Sequence, residues 1–259
     1  MDTVTHHGRE TAYRFSDRGA TGPTLLFVHG SGGSHTVWKS QFRLADEFPV
    51  ATLDLSGHGE SDDVDAEPGY EARSAYVDDV VAVAEAVGAS VLVGNSLGGA
   101  VTLTAVLERE LDVSGLVLAG TGAKLAVLDD LLAWLADDFP RAVEFLHQPD
   151  RLFHDPEGDF ATFSAEAMYD VGRAVTERDF RTCHAFDVRG ELDEIAVPTL
   201  ALVGEHDRLT PRSYHEYLCE EIPDCELGEV EGAAHLAMLE RPEAFNGAIR
   251  DFVDRRVVE

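Results

Sequence analysis

Apolar residues along the chain fall into two alternating patterns. Short runs dense in Leu and Val stand at TLLFV (24–28), VATLDL (50–55), SVLVG (90–94), GLVLA (115–119) and TLALV (199–203). Such near-continuous runs suit strands covered on both faces, as in a parallel sheet. A weaker, partly alternating pair over 3–16 predicts an antiparallel hairpin at one edge, and a last strand is expected around 225–231. Between the runs the period lengthens. Tyr76, Val80, Val83 and Val87 recur at helical spacing within 71–87, and Phe245, Ile249 and Phe252 do the same after Pro242, a residue tolerated in a first helical turn. The stretch 97–109 also reads as a helix and follows directly on a strand. Strands alternating with helices predict an α/β fold with a largely parallel sheet.

The rhythm breaks between Gly120 and about Gly190. No strand is readable there, only helical segments with loops expected around Pro140, Pro149 and Pro156. Seven of the 13 phenylalanines (Phe139, Phe145, Phe153, Phe160, Phe163, Phe180, Phe186) lie in this stretch, with Trp134 and Tyr169. The expected organisation is a core domain from 1–120 and 191–259 with a helical cap over 121–190, most of its aromatics packing and some lining a pocket.

Composition narrows the partners. The chain has 259 residues, with 20 Lys+Arg against 49 Asp+Glu and a formal net charge of −29. A polyanion would be repelled by that surface, so a nucleic-acid partner is excluded. No run of about 18 apolar residues is present, so no membrane span is expected. MDTVTHH shows neither a basic region nor an apolar stretch, so no secretory signal is read there. Cys183, Cys219 and Cys225 show neither metal-ligand spacing nor a disulfide framework, which predicts reduced thiols and a cytoplasmic location. Only two lysines occur, Lys39 and Lys124. Acid excess with lysine depletion resembles cytoplasmic proteins of salt-loving organisms, whose self-repulsion is screened in molar salt.

The chemistry sits where strands give way to helices. Gly94-Asn95-Ser96-Leu97-Gly98 joins SVLVG to the helix from 97 as a G-x-S-x-G nucleophile elbow. The sharp turn there strains Ser96 and requires small residues two before and two after it. A serine hydroxyl needs a base. Of the 11 histidines, His235 in EGAAHLAMLERPEAF precedes the terminal helix, on a loop able to reach back over the carboxyl edge of the sheet. His206 reads as a surface residue, and His6, His7, His35, His147, His154, His184 and His215 as surface or packing residues. Asp207 follows TLALV and is expected to fix the imidazole's tautomer, with Glu205 as its rival. Nothing acidic directly follows GLVLAG, which removes another position for the acid. His29-Gly30-Ser31-Gly32-Gly33-Ser34 would supply a backbone N–H to a developing oxyanion; the expected pair is Ser31 and Leu97, with Gly32 as alternate. The glycine run lacks the G-K-[ST] of a phosphate loop, and no His/Asp/Cys cluster has metal-ligand spacing, so neither a metal nor a cofactor is expected.

Together the HGSGGS loop, Asp54-Leu55-Ser56-Gly57-His58-Gly59-Glu60-Ser61, the GNSLGG elbow, GEHDRLTP and the late AAH resemble the α/β-hydrolase superfamily over essentially the whole chain. The order Ser96…Asp207…His235 matches that fold. The resemblance implies a mostly parallel eight-stranded sheet with helices on both faces, a small helical cap and cofactor-free hydrolysis of a small-molecule, ester-like substrate. Small carboxylesterases are the nearest match. Asn95 and HGSG are also similar to hydrolases of carbon–carbon bonds in ring-cleavage products. Those carry tryptophans beside the catalytic histidine, where this chain has Leu236, Ala237 and Met238, and no cap arginine is readable for their substrate carboxylate. Lactonase, perhydrolase and non-catalytic ligand-binding readings use the same residues.

Overall fold

The computed structural model describes residues 1–258 and contains one eight-stranded sheet in the order β1-β2-β4-β3-β5-β6-β7-β8. The strands are β1 (Asp2–His6), β2 (Arg9–Ser16), β3 (Thr24–Val28), β4 (Val50–Leu53), β5 (Ala89–Asn95), β6 (Gly115–Ala119), β7 (Thr199–Gly204) and β8 (Cys225–Val230). The edge hairpin β1–β2 is antiparallel, and so is the β2–β4 pairing. From β4 through β8 all neighbours run parallel. This is the α/β-hydrolase architecture, and each strand read from the apolar runs is present.

Alternation along the strands divides the core. Leu25 and Phe27 of β3 join one apolar layer with Trp38, Phe245, Ile249 and Phe252, while Leu26 and Val28 join the opposite layer. The second layer is closed by α1 (Tyr70–Val87), whose Tyr76, Val80 and Val83 are buried, by α2 (Leu97–Glu108), and by α7 (Arg212–Glu221). The first is closed by the 3-10 segment His35–Asp46, by α8 (Ala237–Glu240) and by α9 (Pro242–Val253). Between β6 and β7 lie α3 (Asp129–Asp137), α4 (Phe139–Leu146), α5 (Asp159–Val171) and α6 (Arg173–Ala185). The two ends of this insertion pair: Val188 N–H donates to Ala123 O at 2.9 Å, and Lys124 forms a β-bridge with Asp187. Pro140 does not mark a loop. It occupies the first turn of α4, where a missing N–H costs no helical hydrogen bond, and the Asp138 carboxylate caps that helix at Arg141 N–H.

The cysteine expectation is corrected in part. Cys219, near the end of α7, and Cys225, which opens β8, form a disulfide, their Cα atoms 4.9 Å apart across a tight turn. The turn places both Cα atoms within bridging range, a proximity that framework patterns over longer spacings do not encode. Only Cys183 is free; burial pushes its thiol up to about 12, so it stays protonated. No helix among the described residues is long and apolar enough to cross a membrane.

Two buried histidines tie the carboxyl ends of the strands together as neutral acceptors. His29 Nε2 accepts from Leu55 N–H at 3.1 Å while its Nδ1 donates to Gly30 O, and His215 Nε2 accepts from Thr121 N–H at 3.2 Å. Burial lowers both to about 4. The unfolded chain takes up these protons near 6.5 and the folded chain does not, so stability falls as pH drops from 6.5 towards 4. Thermal melts across that window should show the loss, and His215→Gln, which keeps an acceptor, should reduce the slope by about one proton, or ~1.4 kcal/mol per pH unit. An unchanged slope in this variant would contradict the assignment.

Candidate functional site

All the sequence-predicted site residues lie at the carboxyl edge of the parallel strands, the usual ligand position in such sheets. Ser96 stands between β5 and α2 with φ +55° and ψ −117°, a left-handed conformation costly for a side chain. Gly94 and Gly98 make the turn possible. A Cβ on Gly98 would press into the Val28 carbonyl, and one on Gly94 into the carbonyl of Gly98. Two hydrogen bonds hold the elbow to the strand beside it. Ser96 N–H donates to Ala119 O at 3.0 Å, and the Thr121 hydroxyl donates to Ser96 O at 2.9 Å.

His235 and Asp207 meet. Nδ1 of His235 donates to Asp207 Oδ2 at 2.8 Å, and both residues are 5% exposed. Asp207 Oδ1 accepts from the N–H groups of Leu209 and Thr210, and Oδ2 also accepts from the Thr210 hydroxyl at 2.8 Å. Burial opposes ionisation of Asp207, but attraction to His235 and these hydrogen bonds outweigh it and keep the carboxyl below its ordinary range. Glu205, the rival acid, is turned elsewhere: its Oε2 accepts from Gly232 N–H and lies 3.5 Å from His206. The His235 loop is fixed on both sides. Asn95 Nδ2 donates to the carbonyls of Ala119 (3.2 Å) and His235 (3.3 Å), and His235 N–H donates to Arg151 O at 3.1 Å.

Ser31 and Gly30 line a cavity of about 470 Å³ together with Ser96 and His235, and Gly30 lies directly against Ser96. The Gly32 N–H does not serve as an alternate donor to this cavity, since it donates to Asp179 Oδ2 at 3.1 Å. The walls come largely from the insertion and are apolar: Leu125, Val127, Leu131, Phe145, Met168 and Phe180. Of the seven phenylalanines of the insertion, two reach the cavity, whereas Phe153 and Phe186 are buried in the core layers. Arg151 and Arg208 add charge to an otherwise oily lining.

Behind the glycine loop lies a polar network that pattern reading missed. The buried Asp179 of α6 accepts from Gly32 N–H, from His58 Nε2 at 2.9 Å and from the Tyr76 hydroxyl at 2.7 Å. Burial opposes charge on both partners of the His58–Asp179 pair, but their mutual attraction and hydrogen bond prevail. His58 is therefore raised and Asp179 lowered, as in an ion pair. Arg178 extends the network, its Nε donating to Tyr76 and its guanidinium to Asp63. His58 was visible in DLSGHGES. Asp179 lies in RAVTERDFRTCHA, whose polar composition reads as a solvated face, and so left no signal. Asn95 and Thr210 stood within recognised motifs, but only the fold reveals what they touch.

The family model described as "Alpha/beta hydrolase family" matches residues 25–248. A pimeloyl-[acyl-carrier protein] methyl ester esterase of Neisseria meningitidis serogroup C is 29% identical over 89% of this chain and 93% of that protein. A 2-hydroxy-6-oxo-6-(2'-aminophenyl)hexa-2,4-dienoic acid hydrolase of Metapseudomonas resinovorans is 29% identical over 98% of this chain and 90% of its own length. Among solved structures, one described as a thermophilic esterase superposes with a TM-score of 0.86 at 30% identity, covering 98% of this chain and 97% of the other. A strained elbow, a glycine loop facing it and the family match over most of the sheet lead to one conclusion: this chain belongs to the alpha/beta hydrolase family.

Proposed function

We propose that the protein is a serine hydrolase that cleaves a small or medium carboxylic ester with an apolar acyl or alcohol part. The observation that carries this reading is the convergence of Ser96, held outward by the elbow, and the His235–Asp207 pair on one apolar cavity. Ser96 Oγ attacks the ester carbonyl and His235 accepts its proton. His235 then returns that proton to the leaving alkoxide, and water, deprotonated by the same imidazole, releases the acid from the acyl-enzyme. Asp207 holds Nδ1 protonated, leaving Nε2 free to act as the base. The amides of Ser31 and Leu97 receive the oxyanion. The inserted helices act as a cap whose apolar wall selects the substrate, and the esterase relatives support the ester class. Arg151 and Arg208 at the cavity favour a second substrate type, an ester or carbon–carbon substrate bearing a free carboxylate, in line with the ring-cleavage-product hydrolase among the relatives.

In this reading Asp179 is a positioning residue. It pins Gly32, next to the oxyanion donor Ser31, and carries the charge that His58 needs in a fully buried position. The pair joins the cap to the loop after β4, and the Gly32–Asp179 hydrogen bond joins the cap to the glycine loop.

Hydrolysis of p-nitrophenyl esters of increasing chain length should be detectable in the wild type. It should fall by at least ~10⁴-fold in Ser96→Ala and by about 10⁴-fold in Asp207→Asn. Tight ligand binding without turnover in wild type would instead indicate a non-catalytic member of the fold. For the −29 surface, the rate and the melting temperature should both rise from low salt to molar KCl, where the screening length shrinks to about 3 Å. A salt-independent melt would remove the halophile-like reading. Asp179→Asn should lower kcat by ~10–100-fold with little change in KM, measured where circular dichroism shows the variant folded. A kcat within twofold of wild type would reduce Asp179 to a packing role.

A further inference from the structure

Beside the cavity, where segment 150–154 of the insertion meets the loop between β7 and α7, lie Asp150, His154 and His206. One ligating atom from each of the three lies within 4.8 Å of the others. His154 Nδ1 is 2.7 Å from Asp150 Oδ1, and the two imidazoles stack with centroids 3.7 Å apart and planes 14° from parallel.

The three residues are also held from behind. The guanidinium of Arg208 binds Asp150 Oδ2 at 3.0 Å, leaving Oδ1 towards His154. Arg208 N–H donates to Asp150 O, and Asp150 itself is fixed in a left-handed conformation at φ +62°. His154 N–H donates to Glu240 Oε1, His206 N–H to Ala233 O, and the Glu205 carboxylate stands 3.5 Å from His206 Nε2. These bonds fix the backbone that carries His154 and His206, and the Arg208 pairing fixes the Asp150 carboxylate.

We propose that Asp150, His154 and His206 bind a divalent transition-metal ion of the Zn²⁺ class. Two imidazole nitrogens and one carboxylate oxygen form a donor set for Zn²⁺ and its neighbours in the first row, with water completing the shell. Ca²⁺ and Mg²⁺ favour oxygen-rich sets and are excluded by the same count. The Arg208 charge opposes the ion, but it is three-quarters exposed and screened by solvent, and it engages Oδ2 rather than Oδ1. Asp150 and His154 share helical spacing, while His206 lies far along the chain, so no sequence motif announces the group. The ion acts as a clamp. It fastens the segment carrying Arg151 and Leu152, which line the cavity, to the residue preceding Asp207.

The test is a titration of EDTA-stripped, dialysed protein with ZnCl₂ by calorimetry and with CoCl₂ by visible absorption. Wild type should bind one equivalent, show Co²⁺ ligand-field bands, and melt roughly 5 °C higher at free Zn²⁺ about 100-fold above Kd. His154→Ala and His206→Ala should each weaken binding by at least ~10-fold, whereas His7→Ala, altering the separate His6–His7 pair, should leave it unchanged. No saturable equivalent in wild type, or equal affinity in His206→Ala, overturns the site. Because the readout is binding, either outcome stands whatever the esterase assays show.

Discussion

The backbone turn at Ser96 is the constraint on which the site depends. A residue with a Cβ is held at positive φ because β5 and α2 cannot otherwise join at the distance set by β3, whose last carbonyl leaves room only for the hydrogen of Gly98. The strain persists because sheet pairing, the Ala119 carbonyl and the Thr121 hydroxyl over-determine the turn. Its result is a serine hydroxyl presented on a rigid corner of the backbone.

Around that corner stand two separate buried His–Asp pairs. His235 and Asp207 belong to the loops after β8 and β7, and both come from the sheet's own connections. His58 and Asp179 instead join the loop after β4 to a helix of the insertion. A buried ion pair contributes little net stability and breaks at high cost when one partner is removed. Its worth here is geometrical, since the second pair fixes where the inserted helices stand relative to the loop after β4.

The fold was largely legible because buried parallel strands write themselves as Leu and Val runs, and β3, β5, β6 and β7 match those runs within a residue or two. The positions of Ser96, Asp207 and His235 were legible for a related reason, each following a readable strand or preceding the terminal helix. Asp179 was hidden because a buried carboxylate in a polar helix looks like solvent-facing surface until a distant histidine and tyrosine are brought to it. The Cys219–Cys225 bridge was hidden because a tight turn, not a spacing rule, brings the two together. Pro140 misled because helix starts and loops favour the same residue.

The stem of the insertion has a consequence for what this sheet can carry. Ala123 and Val188 are hydrogen-bonded neighbours, and Lys124 bridges Asp187, so the sheet experiences the whole insertion as a short hairpin. Anything grafted between those two points closes its ends at almost the same entropic cost, because loop closure depends only logarithmically on length. The strand edge that carries Ser96 and the apolar wall of the cavity are therefore separable units. A new wall can be exchanged through this gate without moving the strands that hold Ser96, provided it returns one carboxylate to His58.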